Sequence, residues 1–296
     1  MRPAYGAESE YGRLRRVLLH APTTAELGPV IAEDPAKWLF RERPYVGKLL
    51  REYEEFIDAL RAEGVELIFV EGAGTPNQLY VRDAGLVTRL GAVIGNFRHQ
   101  VRRGEEEPII RKLSELGIPI VLRMRDDAHF EGGDAIFVDD ELWVGYGVRT
   151  NLRGIQELKK TLEGKVVRRV RPLRLRERGW LIHLDQALGV VSPSICLIYK
   201  DALPPEAVRL LEAKGFELIE IPEEEAKTMA ANVLAIDEGK VILADGYDMN
   251  RRTRRALESR GVDVIAVPMR ELIKGNGGPR CMSLPLLREP PRAAGR

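Results

Sequence analysis

The feature that most constrains the fold is a pattern that recurs five times: an amphipathic helix, a glycine and a short apolar strand. The successive glycines of this repeat lie 53, 47, 51 and 46 residues apart. A period of about 50 residues is typical of a propeller or a similar array, in which each unit buries its apolar face against its neighbours. The five glycines are Gly64, Gly117, Gly164, Gly215 and Gly261.

Each module is predicted to run from a first strand through a helix and the glycine to a second strand, and then into an irregular segment. The clearest helix carries apolar residues at helical spacing from Leu49 to Leu60. The other helices are expected over 106–116, 152–163, 204–214 and 249–260. The first strands, which end in small or polar residues as strands at the edge of a core do, are expected over 16–20, 92–95, 142–145, 195–199 and 241–244.

Three stretches stand outside this repeat. Residues 23–44 are expected to form a loop, and the sequence leaves open whether this loop covers a site. Residues 288–296 are expected to be disordered, so that one domain over 1–290 would precede a flexible tail over 291–296. The basic run 165–178 is interpreted as a solvated outer strand and loop, in preference to an anion site.

Bulk composition excludes several classes of function. A net charge of +1 over 296 residues gives no reason to expect a nucleic-acid partner, and no apolar run is long enough to span a membrane. The N-terminal residues lack a signal-peptide pattern, and there are only two cysteines. We therefore expect a reduced, cytoplasmic protein that can fold without a disulfide. The common nucleotide and zinc signatures are absent from the sequence.

The most reactive residue types lie at nearly one phase of the repeat. Asp83, Glu131, His183 and Cys281 follow the glycines of their own modules by 19, 14, 19 and 20 residues. If the modules surround an axis, these four side chains meet near it.

A cysteine nucleophile is predicted at Cys281, in the segment GNGGPRCMS. Gly277 and Gly278 allow a sharp turn, whose exposed backbone amides are expected to lower the thiol pKa. His183 suits proton transfer, and strand alternation places Asp185 on the same face, where it could orient the ring or hold a cation. Cys196, in an apolar strand, and the histidines at 20, 99 and 129 are interpreted as structural or supporting residues.

The predicted site is rich in carboxylates. Asp83, Glu131 and Asp185 would share a pocket with one thiol and one imidazole, and buried unpaired carboxylates are costly. Such a pocket demands a cationic ligand, and a planar guanidinium offers five N–H donors to several carboxylates at once. Thiol, imidazole and acids together therefore indicate attack on a guanidinium carbon.

At the segments PNQLYVRD, FEGGD, YGVRTN, HLDQ and GGPRCMS the chain resembles the guanidino-group-modifying superfamily, known as the pentein fold. The resemblance covers nearly the whole chain. It implies a five-bladed, pseudo-fivefold α/β propeller of ββαβ modules. It also implies a small guanidino substrate and no metal or organic cofactor, and it leaves homo-oligomerisation open.

The resemblance also implies roles for individual residues. Cys281 would be the nucleophile and His183 the general acid and base, with Glu131 beside the reacting carbon or His183. The residues implied for substrate binding or support are Asp83 and Asp185 at the guanidinium, Arg149 and Arg102 at the α-carboxylate, Asn77 at another substrate contact, and Asp134 as a supporting group.

Several activities in this superfamily share these residues. Hydrolysis of arginine to citrulline and ammonia through a covalent thiouronium is the first hypothesis. The alternatives are a dimethylarginine hydrolase, an ornithine-forming arginine dihydrolase and an amidinotransferase. The chain has no room for the helical insertion of bacterial arginine deiminases, although GGPRCMS and VRD resemble the deiminase form. A non-catalytic partner-binding member of the fold is disfavoured because the whole reactive set is present.

Overall fold

The computed structural model describes residues 4–176 and 178–291. Within these residues, fifteen strands form five separate three-stranded sheets. In spatial order, sheet by sheet, the strands are β15 (Leu284–Arg288), β1 (Leu14–Leu19) and β2 (Glu66–Phe69); β3 (Gly85–Thr88), β4 (Gly91–Ile94) and β5 (Ile120–Arg123); β6 (Ala135–Val138), β7 (Glu141–Tyr146) and β8 (Arg169–Arg174); β9 (Leu188–Val190), β10 (Ile195–Ile198) and β11 (Glu217–Glu220); and β12 (Leu234–Asp237), β13 (Lys240–Ala244) and β14 (Asp263–Val267).

Every sheet has the same topology. Its first two strands are antiparallel, and its second and third strands are parallel, because a helix carries the chain back between them. The strands expected to come first in each module are therefore the middle strands of the sheets, and the segment expected to be irregular contains the first strand of the next blade. The helices are α1 (Thr24–Ala32), α2 (Val46–Ala62), α3 (Glu106–Glu115), α4 (Leu152–Leu162), α5 (Pro205–Ala213), α6 (Glu223–Ala226) and α7 (Arg251–Glu258).

The two ends of the chain complete one blade together. Strand β15 runs antiparallel to β1, with Leu18 opposite Leu284 and Leu14 opposite Arg288. Arg288 was expected to begin a disordered tail, but it is buried, and its Nη1 donates a 2.7 Å hydrogen bond to the Gly12 carbonyl. This pairing closes the predicted five-bladed α/β propeller. The rest of the predicted tail, over 292–296, lies outside the described residues.

The five repeated glycines share one backbone conformation. Their φ angles are 70°, 71°, 73°, 87° and 75° for Gly64, Gly117, Gly164, Gly215 and Gly261. A side chain would meet open space at each position, so the left-handed φ, and not crowding, is what favours glycine there. Each helix therefore ends where the chain turns towards the outer strand of its blade.

The segment over 23–44 is not the loop that we expected. It contains α1 and a short 3₁₀ helix, Pro35–Trp38. The Thr23 side chain accepts a hydrogen bond from the backbone of Glu26, whose carboxylate accepts from the Thr23 backbone in return, a reciprocal cap that satisfies two free donors. Gly28 and Pro29 obscured this helix in the sequence, because both are poor helix formers. Burial of Leu27 and Val30 compensates for them.

Three other expectations can be compared with the structure. Cys196 is buried in β10, and both cysteines are free thiols. The basic run 165–178 contains β8, on which Arg171 pairs with the buried carboxylate of Glu141, as does Arg168 just before the strand. Within the described ranges, no helix combines the length and the apolar character that a membrane span needs.

Candidate active site

The four residues predicted to meet lie at corresponding places in their blades, just before the first strand. Asp83, His183 and Cys281 line one small cavity near the propeller axis, with a volume of about 10 Å³. Glu131 lies directly behind His183. The four side chains are therefore gathered, as the phase of the repeat predicted.

Glycine is required in the segments FEGGD and GNGGPRCMS because a side chain there would collide with neighbouring residues. A Cβ on Gly133 would lie 2.7 Å from Nδ1 of His183, and one on Gly277 would lie 2.4 Å from the ring of Tyr80. The left-handed residue of the cysteine turn is Asn276, with φ 71°, and not one of the glycines that we expected to supply the bend. Backbone atoms can thus pack directly against the reactive groups.

His183 and Glu131 form a buried pair. Nε2 of His183 lies 2.9 Å from Oε2 of Glu131, which also accepts a 3.0 Å hydrogen bond from Nη1 of Arg149. Burial favours the neutral imidazole, but attraction by Asp83 and Asp134 and the bond to Glu131 outweigh it and raise the pKa of His183 to about 9. Although burial opposes its ionisation, Arg149 and His183 hold the pKa of Glu131 well below its ordinary value. The imidazole is therefore protonated near neutral pH.

The Cys281 thiol has the opposite character from the one we expected. Its Sγ donates a 3.3 Å hydrogen bond to Oδ2 of Asp185, and the residue is buried. Burial, together with the carboxylates of Asp185 and Asp83, raises the pKa of the thiol well above its ordinary value. The backbone of the turn at Gly278 lowers this pKa, as expected, but burial and the carboxylates outweigh it, so the expectation of a lowered thiol pKa is wrong. Although Arg280 acts in the opposite direction, these effects favour the neutral thiol over the thiolate.

Two carboxylate oxygens beside the thiol accept no hydrogen bond from the described residues, although that of Asp83 lies 3.6 Å from Nδ1 of His183. They are Oδ1 of Asp83 and Oδ1 of Asp185, and both are buried. The second oxygen of each group is bound, by Nη1 of Arg102 at 2.6 Å and by Nη1 of Arg280 at 2.9 Å. Each aspartate is thus held in place with one oxygen free for a donor.

Arg102 faces carboxylates in this structure. Its Nε and Nη2 donate to Glu105 at 2.9 and 2.8 Å, and its other hydrogen bonds go to Asp83 and the carbonyls of Asn77 and Tyr80. Its Nη1 also lies 3.8 Å from Glu131, and the guanidinium lies over the Phe97 ring. Binding an α-carboxylate would require these buried bonds to break. The role implied by resemblance for Arg102 stays a prediction, and its present contacts are those of a residue that orients Asp83.

Of the other predicted substrate-binding or supporting residues, Arg149 and Asn77 line the cavity and Asp134 does not. Arg149 is buried beside Glu131, and its Nε lacks a partner among the described residues. Asn77 lines the cavity, and its Nδ2 donates to the Trp38 carbonyl at 2.8 Å. Asp134 accepts a 3.1 Å hydrogen bond from the backbone of Leu184, next to His183. Burial raises the pKa of Asp134 to about 7, against the opposing effect of His183.

The segment over 23–44 contributes to the mouth of the site. Leu39, in a left-handed conformation with φ 63°, lines the inner cavity together with Asn276. Both residues also line an outer cavity of about 350 Å³, which Arg41, His99 and Arg149 share. The inner and outer cavities therefore share four lining residues, Leu39, Arg149, Ile182 and Asn276.

Asp185 is supported by an arginine that was not predicted from the sequence to be part of the site. Nη1 of Arg280 binds Asp185, while its Nε and Nη2 bind Glu10 at 3.1 and 3.0 Å. Burial opposes the charge of Glu10, yet Arg280 and Arg82 lower its pKa to about 2. Arg82, which directly precedes Asp83 in the sequence, also pairs with Glu10. The position of Arg280 directly before Cys281 could have indicated a role at the site, whereas Glu10 lies far from every motif in the sequence.

The same cluster contains atoms that could ligate a metal. Ligand atoms of Asp83, Glu131 and His183 lie within 4.8 Å of one another. Metal binding would require a neutral imidazole, whereas these carboxylates favour the protonated ring. Arg102 and Arg149 already compensate the negative charge. The donor set therefore suits a protonated histidine better than a metal ion.

A five-bladed α/β propeller with a cysteine, a histidine and carboxylates at its axis defines the guanidino-group-modifying superfamily. A family model described as N,N dimethylarginine dimethylhydrolase, eukaryotic, matches residues 41–288. The chain belongs to this family. Homologues named dimethylarginine dimethylaminohydrolase and arginine deiminase are amidinohydrolases that act on linear amidines.

Similar proteins cover most of the chain. The uncharacterized protein YkgA of Bacillus subtilis (strain 168) is 33% identical over 95% of this chain and 94% of its own length. The N(G),N(G)-dimethylarginine dimethylaminohydrolase of Pseudomonas aeruginosa is 30% identical over 86% of this chain and 98% of its own length.

Two solved structures share the fold. A cysteine-to-serine mutant of the Pseudomonas aeruginosa enzyme, complexed with citrulline, superposes with a TM-score of 0.76 at 27% identity, over 92% of this chain and 99% of that one. The N-terminal domain of ArgZ, an arginine dihydrolase from cyanobacteria, bound to substrate, superposes with a TM-score of 0.79 at 25% identity, over 93% and 98%.

Proposed function

We propose that this protein is a cysteine-dependent hydrolase of the guanidinium group of free arginine or a close analogue, acting through residues 1–290 as one catalytic domain. The observation that carries the proposal is that one buried oxygen of Asp83 and one of Asp185 accept no hydrogen bond from the described residues, while Asp83 faces His183 and Asp185 accepts from Cys281. Buried carboxylate oxygens need N–H donors, and a guanidinium supplies several in one plane.

The raised pKa of the thiol fits a site that its substrate activates. A guanidinium bound between Asp83 and Asp185 offsets the negative charge that holds the proton on Cys281. The thiol can then release its proton to water when a cation is in place, so that the reactive thiolate forms next to the carbon it attacks. When no substrate is bound, the sulfur stays a neutral thiol, which is oxidised less readily than a thiolate.

The first half of the reaction breaks a C–N bond. The Cys281 thiolate attacks the guanidinium carbon and forms a C–S bond. The protonated imidazole of His183, whose pKa is raised to about 9, gives its proton to the departing nitrogen, which leaves as ammonia when arginine is the substrate. A cationic thiouronium on Cys281 and a neutral His183 remain.

The second half restores the enzyme. Neutral His183 takes a proton from water while the oxygen adds to the thiouronium carbon. The C–S bond then breaks, the electron pair returns to Cys281 as thiolate, and the ureido group gives its extra proton to ammonia. The net products are citrulline and ammonium, and Glu131 keeps the imidazole oriented through both proton transfers.

Charge favours one round of hydrolysis over two. Asp83 and Asp185 suit a cation that donates from every nitrogen, whereas a ureido group is neutral and carries an oxygen that accepts. The product should therefore leave before a second attack gives ornithine. Hydrolysis of a methylated arginine is the second candidate, because the matching family model and the Pseudomonas aeruginosa relative carry that name.

One set of incubations distinguishes these functions. The protein is mixed with arginine, monomethylarginine, dimethylarginine or agmatine, and the products are identified by mass. Citrulline with ammonia identifies a deiminase, citrulline with dimethylamine a dimethylarginine hydrolase, and ornithine with ammonia and carbon dioxide a dihydrolase. Added amines test for amidino transfer.

The covalent step has its own test. Acid quenching should trap a thiouronium adduct on Cys281, and Cys281→Ser should abolish turnover while Cys196→Ser, the control for the other buried thiol, keeps it. Full turnover by folded Cys281→Ser would reject the proposal.

A further inference from the structure

The blade that follows Gly215 also places a polar residue at the axis. Asn232 follows this glycine by 17 residues and lies two residues before β12, the first strand of its blade. It is fully buried. The other four blades place Asp83, Glu131, His183 and Cys281 at this point of the module. The repeat therefore has a fifth member, and that member is an amide.

The contacts of Asn232 converge on the cysteine turn. Its Oδ1 accepts hydrogen bonds from the backbone N–H groups of Arg280 and Cys281, at 3.1 and 3.2 Å. Its Nδ2 donates to Sγ of Cys281 at 3.1 Å and to the Asp185 carbonyl at 3.3 Å. Two backbone donors on one side identify that atom as the oxygen, so the nitrogen faces the sulfur.

We propose that Asn232 is a further catalytic residue, whose carboxamide N–H stabilises the thiolate of Cys281. The inference rests on the proposed function, because it takes Cys281 as the nucleophile. Asp185 accepts a hydrogen bond from the thiol, but its negative charge repels the sulfur once the thiol has lost its proton. Asn232 donates to the same sulfur atom, so its contribution grows as negative charge develops.

The neutrality of the amide suits this position. A lysine or arginine beside the sulfur would also stabilise a thiolate, but its charge would compete with the substrate cation for Asp83 and Asp185. Asparagine supplies a donor without a charge and holds the backbone of the turn with its other atom. The donor is thus present from the start of attack and needs no reorganisation.

The test uses a Cys196→Ser background, in which Cys281 is the one thiol. Asn232→Asp keeps an acceptor for the two backbone N–H groups and removes the donor to sulfur. Asn232→Ala removes both, and Asn250→Ala is the control, since Asn250 is equally buried and bonds to Thr228 and Ala244. The rate of Cys281 alkylation by iodoacetamide is measured against pH without substrate, beside thermal unfolding and kcat.

We expect both Asn232 variants to move the alkylation midpoint to higher pH by about one unit, and kcat at neutral pH to fall roughly 10²-fold. Part of the lost kcat should return at higher pH, where the thiolate forms without help. Asn250→Ala should lower the unfolding temperature without moving the midpoint.

An unchanged alkylation midpoint in folded Asn232→Ala overturns the inference, even if kcat falls. This result is distinct from failure of the proposed function, which shows as full turnover by Cys281→Ser. If Asn232→Asp does not fold, Asn232→Ala still decides the question, because the midpoint is read from whichever variant is folded.

Discussion

Nε2 of His183 lies 2.9 Å from Oε2 of Glu131, and both residues are buried. In a buried charged pair, each residue shifts the pKa of the other, so that both stay charged over a wider pH range. Burial by itself would lower the pKa of His183, but Asp83, Asp134 and Glu131 raise it to about 9. The protonated ring is the form that the first half of the reaction requires.

Glu131→Gln should weaken this protonation. The loss of one negative charge lowers the pKa of His183, so the alkaline limb of the kcat profile should move to lower pH, and kcat at neutral pH should fall about 10²-fold. Steady-state rates across pH check this, with the exposed Glu115→Gln as control. An alkaline limb that does not move would assign that limb to another group.

The same pair predicts how stability depends on pH. Because the pKa of His183 is raised in the folded protein, protonation of this residue stabilises the fold. The contribution is complete at pH values below 6.5, the ordinary pKa, and is lost as pH rises through about 9. The free energy of unfolding should therefore decline across that window and decline less in Glu131→Gln. Urea denaturation at several pH values measures it, and equal slopes in the two proteins would contradict the prediction.

Arg280→Met should destabilise the protein strongly. It leaves Glu10 and Asp185 buried without their main partner, which typically costs about 3–5 kcal/mol. Arg61→Met removes an exposed pair with Asp58 and should cost less than about 1 kcal/mol. Urea denaturation compares them, and similar losses would show that the buried network contributes little.

Arg149→Lys should distinguish carboxylate recognition from support of Glu131. If Arg149 binds the α-carboxylate, KM for arginine should rise about 10- to 100-fold, from loss of a charged hydrogen bond, while KM for agmatine, which lacks that group, should change little. Arg153→Lys, on an exposed pair with Asp127, is the control. Equal changes for both substrates would mean that Arg149 acts through Glu131.

Leu286→Ala tests the closure of the ring. Leu286 is fully buried in β15, the strand that joins the chain ends, and truncation of a buried leucine typically costs about 2–5 kcal/mol. Leu90→Ala, at 39% exposure, should stay within about 0.5 kcal/mol of the parent protein. Chemical denaturation measures both. A small loss for Leu286→Ala would show that the first blade is stable without its last strand.

Much of the fold and part of the site were predictable from the sequence, and particular residues show why. The left-handed φ of Gly164 and its equivalents is a local property, so the repeat was visible without a structure. The meeting of Asp83, His183 and Cys281 followed from that repeat. Asn232 had the same phase but was missed, because an asparagine in an apolar stretch lacks the chemical signal of a cysteine or a histidine.

Helix period, glycine position and the choice of reactive residues are encoded locally. They were sufficient to predict a propeller or similar array of five modules that gathers a thiol, an imidazole and acids, and the resemblance to a known superfamily implied the five-bladed form. Tertiary structure alone decided the charge states and the partners. The Cys281 thiol is neutral because of Asp185 and Asp83 and the loss of water, although its own turn indicated the reverse. Electrostatic energy depends on distance and burial, and both are set by residues far apart in the chain.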